Sequence, residues 1–309
     1  MKLTMTTMEA LATGFNTSLQ EGFARGKLAA TKFQIYCMVL PSTTAMETYA
    51  WLAMMGSMRK WIGPRLANKM EKKAMILVNE DYENTVGVDR NNIEDDRLGL
   101  YPAAFQQMGY DAELIWPRLA IAALVANANW LDSAPFFGTT RKYGKTLIVN
   151  KTTDALSPEA FDTAMATMMG YCGYDGKKGL GVVPDTLIVG PANRKMGENI
   201  CENSKAIVNV SIGDGTKTQP AVIDNTNQGK VKLVIDERLV GAAAAHWYLG
   251  QCNGPIKPVF VQKRKEGALV RWDTDQSECV KKDNQNEYGL HYRGAAGLSL
   301  PHLMYAGIL

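Results

Sequence analysis

The chain has 309 residues, 46% of them hydrophobic and 21% charged, with a formal net charge of +3. That length and apolar content build a real core in one large domain or two. So small a net charge does not predict a dedicated nucleic-acid binder, which usually shows a strong basic stripe. The longest apolar run, Val240 to Leu249, is too short to span a bilayer, and polar Thr4 follows Met1-Lys2-Leu3 where a leader would turn apolar. The five cysteines (Cys37, Cys172, Cys201, Cys252 and Cys279) contain no CxxC pair, which predicts reduced intracellular thiols acting as small buried hydrophobes.

Thr6, with Glu9 three residues on, fits a capping box. Met8, Leu11, Phe15, Leu19 and Phe23 form one helical stripe that should end near Gly26. Gly14 and Gly22 weaken this helix and only one face is apolar, so it needs a partner surface. Residues 33–62 mix strand-like and aromatic segments, with Tyr49, Trp51, Leu52 and Trp61 as core or interface anchors. Residues 61–88 read as two extended stretches joined around the charged Lys69–Lys73, a solvated hairpin tip. Ile76, Val78, Tyr82, Val86 and Val88 share one parity, broken by Leu77, and should line one face of a sheet. The acidic turn Glu94-Asp95-Asp96 then opens a long helix, where negative charge suits the N-terminus. Its stripe is Leu98, Tyr101, Phe105, Met108, Ala112 and Ile115. Pro117 predicts a kink or break, with a second helix from about Pro117 to Asn129.

After a loop at 132–140, residues 146–150 (TLIVN) read as a short strand. Ser157 caps and Pro158 opens a helix to about Met169. Residues 170–181 (GYCGYDGKKGLG) are predicted to be a mobile loop. Thr186–Gly190 is a buried strand, and Pro191 starts a helix to about Cys201. Residues 203–229 are polar and glycine-rich, with a turn at Gly213-Asp214-Gly215, before a strand at Val231–Ile235. Val259 and Val261 belong to a strand leading into Gln262-Lys263-Arg264-Lys265, and residues 273–287 form a polar loop. Tyr288 to Tyr305 reads as a final long strand broken by Gly294, Gly297 and Pro301.

The chemistry-bearing patterns are weak. His246, His291 and His302 lie too far apart for an HExxH-type ligand motif, and no GxSxG elbow occurs. Gly176-Lys177 and Gly179-Leu180-Gly181 do not satisfy GxxxxGK[ST]. An enzyme with a phosphate loop at 173–181 is therefore an alternative that needs nucleotide binding by a monomer to support it. Consecutive carboxylates on one helical turn point apart, so Glu94, Asp95 and Asp96 favour capping and ion pairs with a neighbour over a metal site. Lys263, Arg264 and Lys265 alternate sides along a strand, which favours pairing with acids across an interface over a DNA-binding patch. No catalytic, cofactor or metal residue is assigned.

Several ordered blocks carry a resemblance. They are Pro41-Ser42-Thr43-Thr44, Trp61-Ile62-Gly63-Pro64-Arg65, and Tyr82-Glu83-Asn84-Thr85-Val86-Gly87-Val88-Asp89-Arg90-Asn91-Asn92-Ile93-Glu94-Asp95-Asp96. Near the end come Pro255-Ile256-Lys257-Pro258, Gln262-Lys263-Arg264-Lys265-Glu266, Tyr288-Gly289 and Arg293-Gly294-Ala295-Ala296-Gly297. Together they resemble the Mu-like phage major head subunit (gpT-like) family over residues 8–309, with a partial match at 132–140. The resemblance implies an α+β chain with the Hong Kong 97 phage-type capsid fold. Its parts would be an N-terminal arm (1–30), a peripheral domain with a spine helix (31–57, 93–152 and 250–309), an extended hairpin or E-loop (58–92) lying over an adjacent subunit, and an axial domain (153–249).

The resemblance further implies a non-enzymatic major head protein that needs no cofactor. It would self-assemble as pentamers and hexamers into an icosahedral virion shell in the host cytoplasm, enclosing DNA through non-specific contact. Scaffold as a separate chain, portal and decoration protein are the implied partners, and no membrane is involved. The implied subunit-interface candidates are Phe15, Phe23, Trp61, Arg65, Tyr82, Glu94, Asp95, Asp96, Lys263 and Arg264. The Lys, Asn and Glu set that crosslinks some capsids of this fold finds no residue-by-residue match, so no crosslink is expected. An encapsulin-like compartment of the same fold, holding protein cargo, is the alternative.

Overall fold

The computed structural model describes residues 5–49, 75–95, 100–143, 145–173, 176, 179–212 and 217–309. Helix α1 (Met5–Ala29) runs straight through Gly26 and into a 3₁₀ turn at Ala30–Ile35. The predicted capping residue Thr6 lies inside its first turn. The stripe of Leu11, Phe15, Leu19 and Phe23 packs inward, and Phe15 stacks on Phe105 at 4.3 Å. The helix survives its glycines because they are a contact seam. A Cβ on Gly22 would lie 2.1 Å from the Gln106 carbonyl oxygen, and one on Gly109 would lie 2.3 Å from that of Leu19. Backbones that close repay the ~1 kcal/mol helix penalty of glycine with dispersion contacts.

Strands β1 (Cys37–Pro41), β2 (Met46–Tyr49), β3 (Met75–Val78) and β4 (Glu80–Asp89) follow. Among the described residues, β2 and β3 pair only with each other, as an antiparallel ribbon. β4 instead joins a five-stranded sheet, pairing along β15 (Gln285–Leu298). The opposite edge of β15 carries β13 (Val259–Lys265) and β14 (Val270–Trp272), and β1 runs parallel to β13. The single parity expected over 76–88 is therefore wrong. The chain changes sheets at Asn79, so Met75 and Leu77 face inward on β3 and Tyr82, Val86 and Val88 on β4, leaving Ile76 and Val78 exposed.

The acidic turn also differs from expectation. Glu94 and Asp95 end a six-residue helix, α2 (Arg90–Asp95), and α3 (Leu100–Glu113) starts beyond them. The helix break falls at Leu114, before α4 (Ile115–Ala126), which places Pro117 in the first turn of α4. Its missing N–H has no intrahelical partner to lose there. Left-handed Asn127 (φ 45°) ends α4, whose Trp116, Ala120 and Leu124 bury against the sheet.

The second sheet is ordered β11-β8-β12-β16-β7, formed by β7 (Lys151–Thr152), β8 (Thr186–Val189), β11 (Lys232–Ile235), β12 (Trp247–Gly250) and β16 (Met304–Gly307). Both faces are covered. Leu187, Val189, Trp247, Leu249 and Tyr305 pack with Phe161 and Met168 of α5 (Pro158–Met169) and Ile200 of α6 (Arg194–Cys201). The alternate residues Ile188, Tyr248, Met304 and Ala306 join the core of the first sheet. Full burial of each such side chain contributes about 1.5–3 kcal/mol. Ser157 caps α5 as expected, its Oγ accepting from the Ala160 N–H at 3.1 Å.

Other differences have local causes. Strands β5 (Arg141–Tyr143) and β6 (Thr146–Ile148) form a small hairpin. Residues 203–229 contain a second ribbon, β9 (Lys205–Ile212) with β10 (Lys217–Asp224). The polar stretch at 273–287 holds α7 (Glu278–Asp283). β15 passes unbroken through Gly294 and Gly297, where neighbours crowd the backbone: a Cβ on Gly294 would lie 2.5 Å from the Gln262 carbonyl oxygen. The break comes at Pro301, and β16 then crosses into the second sheet, so segment 250–309 feeds both sheets.

Candidate subunit-contact site at the hairpin root

The short loop 42–45 between β1 and β2 turns its donors onto one carboxylate. Glu47 accepts from the Ser42 hydroxyl (2.8 Å), the Thr43 N–H (2.8 Å) and the Thr44 N–H (3.1 Å). Those backbone and hydroxyl donors hold its pKa down at about 2. Buried Asn79 donates to Ser42 Oγ (2.8 Å) and the Thr44 carbonyl (2.9 Å). Its own Oδ1 accepts from Gln262 Nε2 at 2.7 Å. Gln262 also donates to the Leu77 carbonyl (3.2 Å) and accepts from the Tyr49 hydroxyl (2.8 Å). The Tyr49 ring meets Phe260 edge-on at 4.8 Å. A short polar network with an apolar flank therefore seats the β2–β3 ribbon on β13.

The ribbon's two faces divide cleanly. Glu47, Tyr49, Met75 and Leu77 face the body of the chain, and Met46, Thr48, Ile76 and Val78 face outward. Met46 is 53% exposed, Ile76 59% and Val78 56%, so three large apolar side chains lie side by side on a surface that nothing in the described chain covers. Beside the ribbon, Leu77, Val78 and Tyr82 line an apolar groove of about 300 Å³ with Ala122, Ala126 and Trp130.

The interface residues expected from sequence scatter. Phe15 and Phe23 are spent in the chain's own core, against α3 and β15. Tyr82 is half-buried at the groove, its hydroxyl donating to Glu80 at 2.9 Å. Lys263 is paired within the chain, 2.7 Å from Glu266 and 4.7 Å above the Trp116 ring, while Arg264 is exposed. Asp95 is exposed at the end of α2, which also contains Glu94. Trp61, Arg65, Asp96 and the Lys69–Lys73 tip lie outside the described residues. Tyr49, expected as a core or interface anchor, does hold the ribbon to the body, whereas the sequence pattern does not mark Gln262, Asn79 and Glu47 as a network. The signals available were a polar residue following the apolar run 259–261 and the break in alternation at Leu77, just before Asn79.

Chemistry is sparse elsewhere. Among the described residues, no three metal-capable side chains meet, and no helix is long and apolar enough to cross a membrane. His246 contacts the Leu309 carbonyl, His291 pairs with Asp81, and His302 is buried apart from both. All five cysteines are free; Cys37, Cys201 and Cys252 are buried, and Cys172 and Cys279 are half-buried.

Comparison with known proteins assigns this architecture. The family described as Mu-like prophage major head subunit gpT matches residues 8–147, and the phage capsid protein family matches residues 78–278. The Mu-like prophage FluMu major head subunit of Haemophilus influenzae is 24% identical across 97% of this chain and 72% of its own length. The major capsid protein of Escherichia phage Mu is 34% identical across 36% of each chain. The procapsid of bacteriophage JBD30 superposes with a TM-score of 0.55 at 23% identity, over 99% of this chain and 76% of that one, which shows a shared fold. The α+β architecture is thus the Hong Kong 97 phage-type capsid fold. The chain belongs to the phage capsid protein family as a major capsid protein of the Mu-like kind, a structural component of the virion that assembles with copies of itself.

Proposed function

We propose that copies of this chain close an icosahedral shell around phage DNA through one repeated heterologous contact, arranged in rings of five and six. The observation that carries this reading is the β2–β3 ribbon: two strands with no third among the described residues, seated on the body through a buried network, with an exposed apolar outer face. Two-stranded ribbons are marginal alone, and exposed apolar patches mark contact surfaces. The segment between the two strands, residues 50–74, holds six basic residues against the single acid Glu71, in a chain whose net charge is only +3. Its sequence is strongly cationic, suited to an acidic surface on the adjacent copy.

In this reading residues 1–30 are the N-terminal arm, the first sheet with α3 and α4 is the peripheral domain, and 153–249 with β16 form the axial domain. Trp61, Arg65, Tyr82, Asp95, Asp96 and Arg264 are contact residues. Phe15 and Phe23 support the contact indirectly, by fixing the arm. Scaffold is a separate chain, portal and decoration proteins bind the finished lattice, DNA contact is non-specific, and assembly takes place in the host cytoplasm. The chain performs no catalysis and needs no cofactor.

Size-exclusion chromatography with negative-stain electron microscopy tests this. Closed shells, or rings of five and six, are the expected result, with nucleic acid inside particles purified from infected cells. A subunit that stays monomeric with and without co-expressed scaffold would overturn the proposal. A protein cargo in place of DNA would favour the compartment reading.

A further inference from the structure

The structure assigns Gln262 as the positioning residue that fixes the angle at which the β2–β3 ribbon leaves the body; this rests on the reading of the ribbon as a subunit contact. Gln262 follows Val259, Phe260 and Val261 in β13 and is fully buried. A buried amide is costly unless it is hydrogen-bonded, and every side-chain bond of this one goes to the ribbon or its hinge. Oε1 accepts from Tyr49 on β2, and Nε2 donates to the Leu77 carbonyl on β3 and to Asn79 Oδ1. One amide thus holds both arms of the ribbon and the residue where the chain changes sheets. Asn79 passes the restraint on to Ser42 and Thr44 in the loop between β1 and β2.

The apolar contact beneath the ribbon joins Tyr49, Met75 and Leu77 to a cluster with Phe260, Leu300 and Leu303. Burial is non-directional, whereas hydrogen bonds weaken steeply away from linearity. The amide therefore supplies the direction and the apolar cluster supplies the adhesion. In a closed ring, the angle of a heterologous contact decides whether the ring closes. An error at the ribbon root is repeated at every contact.

The test pairs Gln262→Met with Asn150→Leu. Methionine keeps the length and burial of Gln262 but removes its amide. Asn150 is an equally buried amide away from the ribbon, bonded to the carbonyls of Phe136 and Pro301 and to the Gly138 N–H. Thermal midpoints of both variants measure the common cost of losing a buried amide. The expected result is loss of closed wild-type-diameter shells for Gln262→Met, with tubes, open sheets or mixed diameters in their place, while Asn150→Leu retains shells of normal size. Hydrogen exchange at 46–49 and 75–78 should rise about tenfold in Gln262→Met, with 259–265 unchanged. Tyr49→Phe, which removes one of the three bonds, should fall between. Normal shells from Gln262→Met, or the same defect in both variants, overturns the assignment, as does unchanged exchange in the ribbon. If the wild-type chain forms no ring or shell with or without co-expressed scaffold, the contact reading fails, and the exchange measurement still decides whether Gln262 holds the ribbon.

Discussion

Tyr36 donates its hydroxyl to Asp236 Oδ2 at 2.9 Å, joining residues 200 positions apart in sequence. Tyr36 leads into β1 of the first sheet, and Asp236 follows β11 of the second. Asp236 is fully buried and also accepts from the Arg238 guanidinium at 3.0 Å. Burial, with the carboxylate beside it, pushes the Tyr36 phenol well above its ordinary range, so the hydroxyl stays protonated and remains a donor. Tyr36→Phe should cost about 1–2 kcal/mol, because Arg238 still satisfies the carboxylate. Asp236→Ala should cost more, about 3 kcal/mol, because it leaves the buried phenol without its acceptor and Arg238 with the more exposed Glu237 as its remaining partner. Urea unfolding of dissociated subunits checks both values.

The glycine seam predicts opposite outcomes for one substitution at two sites on α1. Gly22→Ala drives a methyl into the Gln106 carbonyl and should destabilise by about 1–3 kcal/mol. Gly14 is exposed with open space around its Cβ position, so Gly14→Ala should stabilise by about 0.5–1 kcal/mol. Thermal denaturation of the two variants in parallel distinguishes a contact seam from a merely weak helix.

His302 should give the subunit an acid limit. It is buried, Nδ1 has no hydrogen-bond partner in the described structure, and burial lowers its pKa to about 4. The unfolded chain titrates near the ordinary value of about 6.5. Between those values the unfolded state binds a proton that the folded state refuses, so stability falls as pH drops from about 6.5 to about 4 and levels off below. The stability at stake is on the order of 3 kcal/mol. His302→Gln should flatten this part of the stability–pH curve, measured by urea titration at pH 7, 5.5 and 4.5; an unchanged slope would assign the acid sensitivity elsewhere.

Elements set by local chemistry were readable. The Phe15, Leu19 and Phe23 stripe has helical period, Ser157-Pro158 is a complete helix start, and Thr186–Val189 is apolar enough to be central in a sheet. What escaped depends on distant partners. The parity change at Asn79 exists because β3 and β4 pair with different strands. Gly294 and Gly297 look like strand breakers until Trp116 and Phe260 are placed against them. The ribbon root joins Ser42, Tyr49, Asn79 and Gln262, and its longest bond spans 213 residues. The family blocks contained Ser42 and Gln262, but nothing in the linear pattern shows that they share one network.

The outer face of the ribbon gives the most direct test of the contact. Ile76 is exposed and its backbone pairs with Thr48, so Ile76→Asp places a solvated charge on a face that packs against nothing in the described chain. Subunit stability should shift by no more than about 0.5 kcal/mol. Burying that carboxylate between subunits would cost several kcal/mol, so assembly should fail while the circular dichroism spectrum and thermal midpoint stay near wild type. Tyr82→Asp makes a useful contrast. Tyr82 packs against the core and bonds Glu80, so its replacement should lower the midpoint and impair assembly together. Trp61→Ala should harm assembly more than folding if residues 50–74 reach the adjacent copy. If Ile76→Asp yields normal shells, the outer face of the ribbon is not a subunit contact, and Arg264 and the α4 groove become the next surfaces to substitute.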